Sequence, residues 1–150
     1  MAYLVKPDLN EMKYRKKLHE SPATMSYIGH PESFPKEDWP AFYDHDVEAD
    51  VKERVYRYIF CPKCNDFTGE VSWQYNQERN RYEIYILVSS SMRLEGYGRK
   101  GINLLKQMAA ENGIDNLYAV VAKTNPATGF FEHLNKEKIE EDKNTVTYLL

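Results

Sequence analysis

The period of the hydrophobic pattern changes once along the chain, and this change constrains the fold most strongly. Residues 55–60, 68–75 and 81–88 are rich in aromatic and β-branched residues, and short turns separate them. They predict an antiparallel meander of three strands. Over residues 97–112 the apolar positions recur at helical spacing instead, and Gly113 predicts the end of that helix.

A continuous apolar run at residues 117–122 follows the helix and predicts a strand covered on both faces. Strand, helix and strand then form a parallel crossover. A second helix is expected after Asn125-Pro126, and residues 145–150 predict a last strand. The predicted fold class is therefore α/β, with a mixed α+β sheet built from an antiparallel meander followed by a parallel βαβ crossover.

The first third of the chain is less regular. Residues 2–6 predict a short strand, and Pro7-Asp8 begins an amphipathic helix that extends to about Glu20. Four prolines between positions 22 and 40 leave room only for short helices, such as one over residues 36–43. The acidic stretch at residues 44–50 predicts a loop.

The last two strands of the meander have one apolar and one polar face. Pairing them so that their hydrophobic sets coincide gives an apolar face of six residues: Val71, Trp73, Tyr75, Tyr82, Ile84 and Ile86. The opposite face carries Glu70, Ser72, Gln74, Glu83 and Tyr85. The pattern leaves open whether this polar face meets water or a reaction site.

Length and composition narrow the function classes. With 150 residues, 42% of them hydrophobic, one domain over residues 1–150 is expected. A formal net charge of -3 argues against a nucleic-acid partner, and the sequence has no apolar run long enough to span a membrane. We expect a protein of the cytoplasm with neither a nucleic-acid nor a membrane partner.

The two cysteines, Cys61 and Cys64, have the spacing of half a zinc site. No second cysteine pair follows, and the four histidines show no ligand spacing. A reduced hairpin turn is the favoured interpretation and no metal is expected, although a zinc-dependent interaction module is an alternative.

A glycine-rich, basic turn precedes the long helix. Its glycines and cations are Gly96, Gly98, Gly101, Arg93, Arg99 and Lys100. Unpaired N–H groups at a helix N-terminus bind phosphate, and glycine lets the backbone approach it closely. Dinucleotide-binding folds share this glycine spacing, but there the glycines directly follow the first strand, whereas here a meander precedes them.

The segment Arg93-Leu94-Glu95-Gly96-Tyr97-Gly98 resembles the acyl-CoA loop of the GCN5-related N-acetyltransferase (GNAT) family. The run from Asn125 to Phe131 resembles the family's segment after its fifth strand, which lines the CoA arm. The chain looks like a small, bacterial-type, single-domain member. The resemblance implies the GNAT-like acyl-CoA N-acyltransferase fold, acetyl-CoA as cosubstrate and an unidentified amine as acceptor, with a homodimer as a further expectation.

The resemblance also assigns roles to residues. The residues expected at the cofactor are Leu87, Val88, Arg93, Leu94, Glu95, Gly96, Tyr97, Gly98, Arg99, Lys100, Gly101, Asn125 and Phe131. A backbone N–H of Leu87 or Val88 would polarise the thioester carbonyl. Glu83 is the first candidate for the general base and Glu70 the second.

Phe131 stands where the family usually has a tyrosine as general acid. Water or another tyrosine would then protonate the leaving thiolate. The alternative is a catalytically weak acyl-CoA-binding regulatory module. Trp39, Phe42 and Tyr43 are expected to be packing residues, and the acidic residues a surface loop. The resemblance also places acceptor specificity between the first and second strands, where these aromatic and acidic residues would meet a cationic amine.

Overall fold

The computed structural model describes all 150 residues and has a seven-stranded mixed sheet at its centre. The strands are β1 (Tyr3–Val5), β2 (Arg54–Cys61), β3 (Asp66–Asn76), β4 (Arg81–Val88), β5 (Leu117–Ala122), β6 (Glu137–Glu141) and β7 (Thr145–Leu149). Their order in the sheet is β1-β2-β3-β4-β5-β7-β6. Only β4 and β5 pair in parallel, so the predicted meander and crossover are both confirmed.

Helices cover both faces of the sheet. They are α1 (Met12–Glu20), α2 (Pro22–Met25), α3 (Trp39–Phe42), α4 (Tyr97–Glu111) and α5 (Ala127–His133). Side chains of α1 to α3 pack against Tyr56, Tyr58 and Leu87 on one face. Side chains of α4 and α5 pack on the other. None of the helices combines the length and apolar character needed to cross a membrane.

The amphipathic pattern of the meander decides which face meets α4. Val71 and Trp73 are almost fully buried in the same cluster as Leu105 and Ala109 of α4, and Ile84 and Ile86 pack against it. Because side chains alternate along a strand, the polar set of β3 and β4 is turned to the opposite side, toward α1. The helix ends as predicted, with Gly113 at a φ of 76°.

The structure corrects two expectations and adds one strand. Residues 44–50 are not simply a loop, since a π-helical turn covers Tyr43–Val47 and buries Val47 in the core. β5 is not covered on both faces, because Val120 is 42% exposed and Ala122 is also open. The edge strand β6 was missed because its five residues are all exposed and mostly charged, which leaves no hydrophobic period to detect.

Candidate active site

The parallel pair at the centre of the sheet is splayed. β4 and β5 pair only at Tyr82 with Leu117 and Glu83 with Tyr118. Beyond these positions the strands separate, and the carboxyl-terminal half of β4 faces a gap. Backbone groups on this edge of β4 have no strand partner, so they are available to an extended ligand.

The alternation of hydrogen bonds along β4 determines which of its N–H groups point to β3 and which face the gap. Ser89 donates its N–H to the carbonyl of Thr68 at 2.9 Å. Bonding alternates along an antiparallel pair, and the β3–β4 register has no shift, so Leu87 also turns its N–H toward β3. Val88 is therefore the residue of the predicted pair whose N–H is directed into the gap.

The gap is part of a cleft of about 660 Å³. Its walls are mainly apolar and come from β4, β5, the glycine turn and α5. The exposed apolar face of β5 is explained by this cleft, since Val120 and Ala122 both line it. Of the residues predicted at the cofactor, ten line the cleft: Leu87, Val88, Arg93, Leu94, Gly96, Tyr97, Gly98, Arg99, Asn125 and Phe131.

The turn before α4 presents its backbone to the cleft. Leu94 and Gly96 both have positive φ values, 66° and 86°, and the side chain of Leu94 is fully exposed. Gly96 caps α4 without any side-chain hydrogen bond to the first turn, so the N–H groups there keep their capacity to bind an anion. The guanidinium of Arg93 donates to the carbonyls of Ala23 and Thr24, and so fastens the turn to α2.

Three residues predicted at the cofactor do not line the cleft. Glu95 and Lys100 are exposed outside it. Gly101 lies on the buried face of α4, where a Cβ would be 2.7 Å from Cδ1 of Ile59. This glycine permits close helix–sheet packing, whereas Gly98 faces the ring of Phe130, which is 3.1 Å from an ideal Cβ.

Asn125 and the two phenylalanines of α5 have separate positions. The side-chain oxygen of Asn125 accepts a hydrogen bond from the backbone N–H of Ala127 at 2.9 Å. The side-chain nitrogen of Asn125 has no hydrogen-bond partner in the structure. Phe131 is 2% exposed and stacks on Tyr148. Phe130 is half-buried and extends toward the glycine turn, so it is the more open of the two rings.

A second cavity, of about 330 Å³, adjoins the cleft on the side of α1. The two share Ile28, Ile84 and Tyr85. The five residues of the predicted polar face all line this cavity: Glu70, Ser72, Gln74, Glu83 and Tyr85. The polar face of the meander thus meets a cavity that opens on the cleft.

Glu70 is the most deeply buried charged group of this cavity, at 1% exposure. It lies across from Leu87 in the strand register. One carboxylate oxygen is 2.8 Å from Nε2 of His19, and the other accepts a hydrogen bond from the hydroxyl of Tyr56. Burial and then the charge of Glu70 raise the pKa of Tyr56 well above its usual range, so this hydroxyl stays a donor.

His19 has one free ring nitrogen. In the neutral ring whose Nε2–H donates to the carboxylate of Glu70, Nδ1 carries a lone pair. Nδ1 is buried and has no hydrogen-bond partner. His19 was not predicted from the sequence, since a histidine on an amphipathic helix gives no sign of which strand residue it will meet.

Glu83 belongs to a different network. Its carboxylate accepts one hydrogen bond from Nε of Arg81 at 2.8 Å and another from the side-chain amide of Asn76 at 3.0 Å. Arg81 also bonds Glu140 of β6, and the Arg81 and Glu83 side chains are only 9% and 15% exposed. Glu83 lines the second cavity, but its carboxylate is engaged in joining β4 to the far edge of the sheet.

Cys61 ends β2, and Cys64 lies in the turn that leads to β3, next to the glycine turn. Both are free thiols, with 3.0 Å between their sulfur atoms. The hydroxyl of Tyr97 is 3.0 Å from Sγ of Cys61 and 3.2 Å from Sγ of Cys64. Hydrogen bonds from Cys64 and then Tyr97 lower the pKa of Cys61 to about 7.

A basic cluster of Arg99, Lys106 and Lys136 beside the cleft was also not predicted from the sequence. Burial and then the charge of Lys106 lower the pKa of Lys136, with a further contribution from Arg99. None of the three cations forms an ion pair with a carboxylate. Arg99 and Lys106 are seven residues apart on α4, which places them on one face, and this spacing was the available signal.

Comparison with known proteins identifies the family and the fold. Residues 18–135 match the Acetyltransferase (GNAT) family, whereas no curated protein matches the sequence. A GNAT-family acetyltransferase from Bacillus anthracis superposes with a TM-score of 0.78 at 16% identity, covering 99% of this chain and 93% of that one. An acetyltransferase from Thermus thermophilus gives 0.75 at 22% identity, covering 100% and 96%.

A third similar structure contains ligands. Spermidine N-acetyltransferase from Vibrio cholerae, solved in complex with CoA and spermine, gives a TM-score of 0.77 at 15% identity and covers 99% of this chain and 93% of that one. These identities establish a shared fold only. The family match, which extends over more than three quarters of the sequence, carries the assignment: the chain belongs to the GNAT family of acetyltransferases.

Proposed function

We propose that this protein transfers an acetyl group from acetyl-CoA directly to a primary amine, without an acyl-enzyme intermediate. One observation carries the proposal: the splayed edge of β4 connects the glycine turn at one end with the His19–Glu70 cavity at the other. Donor and acceptor would meet at the shared wall of the two cavities. The similar enzyme solved with CoA and spermine supports this pairing of ligands.

The donor would lie along the gap between β4 and β5. Its pyrophosphate would accept hydrogen bonds from the N–H groups of the first turn of α4, where the helix dipole favours an anion. The amides of its pantetheine arm would pair with the free edge of β4 as an added strand does. Val88 N–H would then donate to the thioester carbonyl and stabilise the developing oxyanion.

The reaction requires a neutral amine. As this neutral amine attacks, Nδ1 of His19 accepts, directly or through a water, the proton that the nitrogen loses, while Glu70 holds the ring and stabilises the cation that forms. The amine nitrogen attacks the thioester carbon, so that a C–N bond forms and the C–S bond breaks. The products are an amide and the CoA thiolate, which takes up a proton.

Tyr85 is the proposed donor of that proton. Its side chain lines both cavities, and its hydroxyl has no hydrogen-bond partner in the structure. Burial, with the charge of Glu70, raises its pKa, so Tyr85 holds its proton until the thiolate forms and then recovers, through solvent, the proton that His19 took from the amine. Tyr85 would supply the role that Phe131 lacks.

The proposed compartment is the cytoplasm. Two free thiols 3.0 Å apart are favoured by a reducing environment.

Blocking the cleft tests the donor site. Val120→Trp fills the β5 wall, and Ile139→Trp adds the same ring to an equally exposed strand position outside the cleft, 39% against 42%. We expect calorimetric binding of acetyl-CoA to the wild type and to Ile139→Trp, and its loss in Val120→Trp. Equal binding by both variants would contradict the proposed site.

Measuring product formation distinguishes an acetyltransferase from an acyl-CoA-binding regulatory module. Acetylated product formed from an amine panel, with loss of product in Val120→Trp, supports the acetyltransferase. Tight acetyl-CoA binding without product from any amine would favour the regulatory module.

A further inference from the structure

Arg15 of α1 is a cation without a counter-charge. Its guanidinium lies over the rings of Phe42 and Phe34, 4.0 and 4.5 Å from their centroids. Nε is buried and has no hydrogen-bond partner, and the side chain forms no ion pair. A half-buried guanidinium with an unsatisfied N–H is costly in a folded chain, so it indicates a missing acceptor.

The missing acceptor belongs to the second cavity, since Arg15 lines it. Arg15 and His19 are four residues apart on α1 and therefore share one face. The other buried charges of the cavity already have partners. Asp46 pairs with Arg54 at 3.2 Å, and Glu70 is bonded by His19 and Tyr56.

The remaining unpaired carboxylate is Glu32, which lies on an exposed loop and is hydrated by solvent. Arg15 is thus the one half-buried charge of the cavity that no protein group neutralises, which leaves it for a ligand. The two rings hold the guanidinium by cation–π contact, so its donors are fixed before any ligand arrives.

We propose that the acceptor is a zwitterion of the amino-acid type, whose carboxylate binds Arg15 while its amine faces His19. This inference rests on the proposed function, because the amine must reach the thioester beside Val88. A guanidinium forms bidentate bonds with carboxylates, which would fix the amine in one orientation. A polyamine would instead bring a second cation against Arg15, and like charges in such a site disfavour binding.

Matched acceptor pairs test the inference. Each pair consists of an amino acid and the amine that remains after removal of its carboxyl group: lysine with cadaverine, tyrosine with tyramine, histidine with histamine. Spermidine serves as the polyamine. We expect kcat/KM for the preferred amino acid to exceed that of its paired amine by about 10- to 100-fold, mainly through KM.

Variants of α1 identify the group responsible. Arg15→Gln should bring the two members of a pair to within a few fold, whereas Lys17→Gln removes the same charge from the exposed side of α1 and should keep the preference. Arg15→Lys keeps the charge and much of the stem but loses the fork, so an intermediate preference is expected even if Arg15→Gln is unstable.

Three outcomes would overturn the inference: preference for the decarboxylated amines or spermidine, an unchanged preference in Arg15→Gln and Arg15→Lys, or no amino acid acetylated by an enzyme that binds acetyl-CoA. Failure to bind acetyl-CoA at all would instead overturn the proposed function, so the two failures are distinguishable.

Discussion

Glu70 and Glu83 occupy the same face of the sheet but have opposite surroundings. Glu70→Gln keeps the size of the side chain and removes the charge that orients His19, so kcat should fall about 100-fold or more with unchanged acetyl-CoA affinity. Glu83→Gln weakens the bond to Arg81 and should cost about 1–3 kcal/mol of stability with little loss of kcat.

Steady-state kinetics and thermal unfolding of the two variants measure both effects. The reverse result, in which Glu83→Gln is the inactive variant, would make Glu83 the base. The sequence ranked Glu83 first because of its position before the glycine turn. It could not reveal that Arg81 engages this carboxylate while a histidine from α1 reaches the other.

Tyr85 is predicted to act as the general acid. Tyr85→Phe removes only the hydroxyl, so proton transfer to the thiolate should slow and kcat should fall about 10- to 100-fold at unchanged KM for acetyl-CoA. Tyr118→Phe, on the neighbouring strand and outside both cavities, is the control. Equal kcat values for the two variants would leave water as the proton source.

Cys61 should react as a thiolate near neutral pH. Its pKa of about 7 lies below the ordinary cysteine value of about 8.5, and its thiol is only 4% exposed. Alkylation of Cys61 by iodoacetamide should therefore be slow, but its rate should rise with pH to a midpoint near 7. Because the hydrogen bond from Cys64 is the main cause, Cys64→Ala should move the midpoint upward. Peptide mass spectrometry reports the rate at Cys61, and one midpoint shared by both proteins would contradict this cause.

At the scale of elements, α4 joins two functions: its first turn faces the cleft, and its basic face approaches Lys136. Lys106→Gln combined with Lys136→Gln should weaken acetyl-CoA binding about 3- to 10-fold at low ionic strength, with a smaller effect at high salt. Acetyl-pantetheine lacks the phosphates, so its affinity should not change. A loss of equal size for both ligands would show that the cluster acts on structure and not on phosphate.

Elements with a strong hydrophobic period were predicted from the sequence almost to the residue, as β4 and α4 illustrate. β5 was identified within its observed bounds but given the wrong surroundings. Its apolar run was interpreted as burial on both faces, whereas one face lines the cleft. Periodicity reports which side chains avoid water, and it does not distinguish a protein neighbour from a ligand.

The whole molecule has a sheet that is interrupted at its centre. β1 to β4 form one continuous antiparallel part, and β5, β7 and β6 form the other. Two residue pairs of strand pairing and the helices on each face hold the parts together. The sequence predicted the crossover but not this separation, because splaying depends on how α4 and α5 pack over both strands.

A ligand that bridges the gap should therefore stabilise the entire fold. Acetyl-CoA at about 100 times its Kd adds about 2.7 kcal/mol by mass action, which for a chain of this size raises the Tm by about 5–10 °C. Ile139→Trp should keep the shift in thermal unfolding and Val120→Trp should lose it, since only the second fills the cleft. If Val120→Trp kept the full shift, acetyl-CoA would be stabilising the protein from outside the gap, and the splayed strands would not be its binding site.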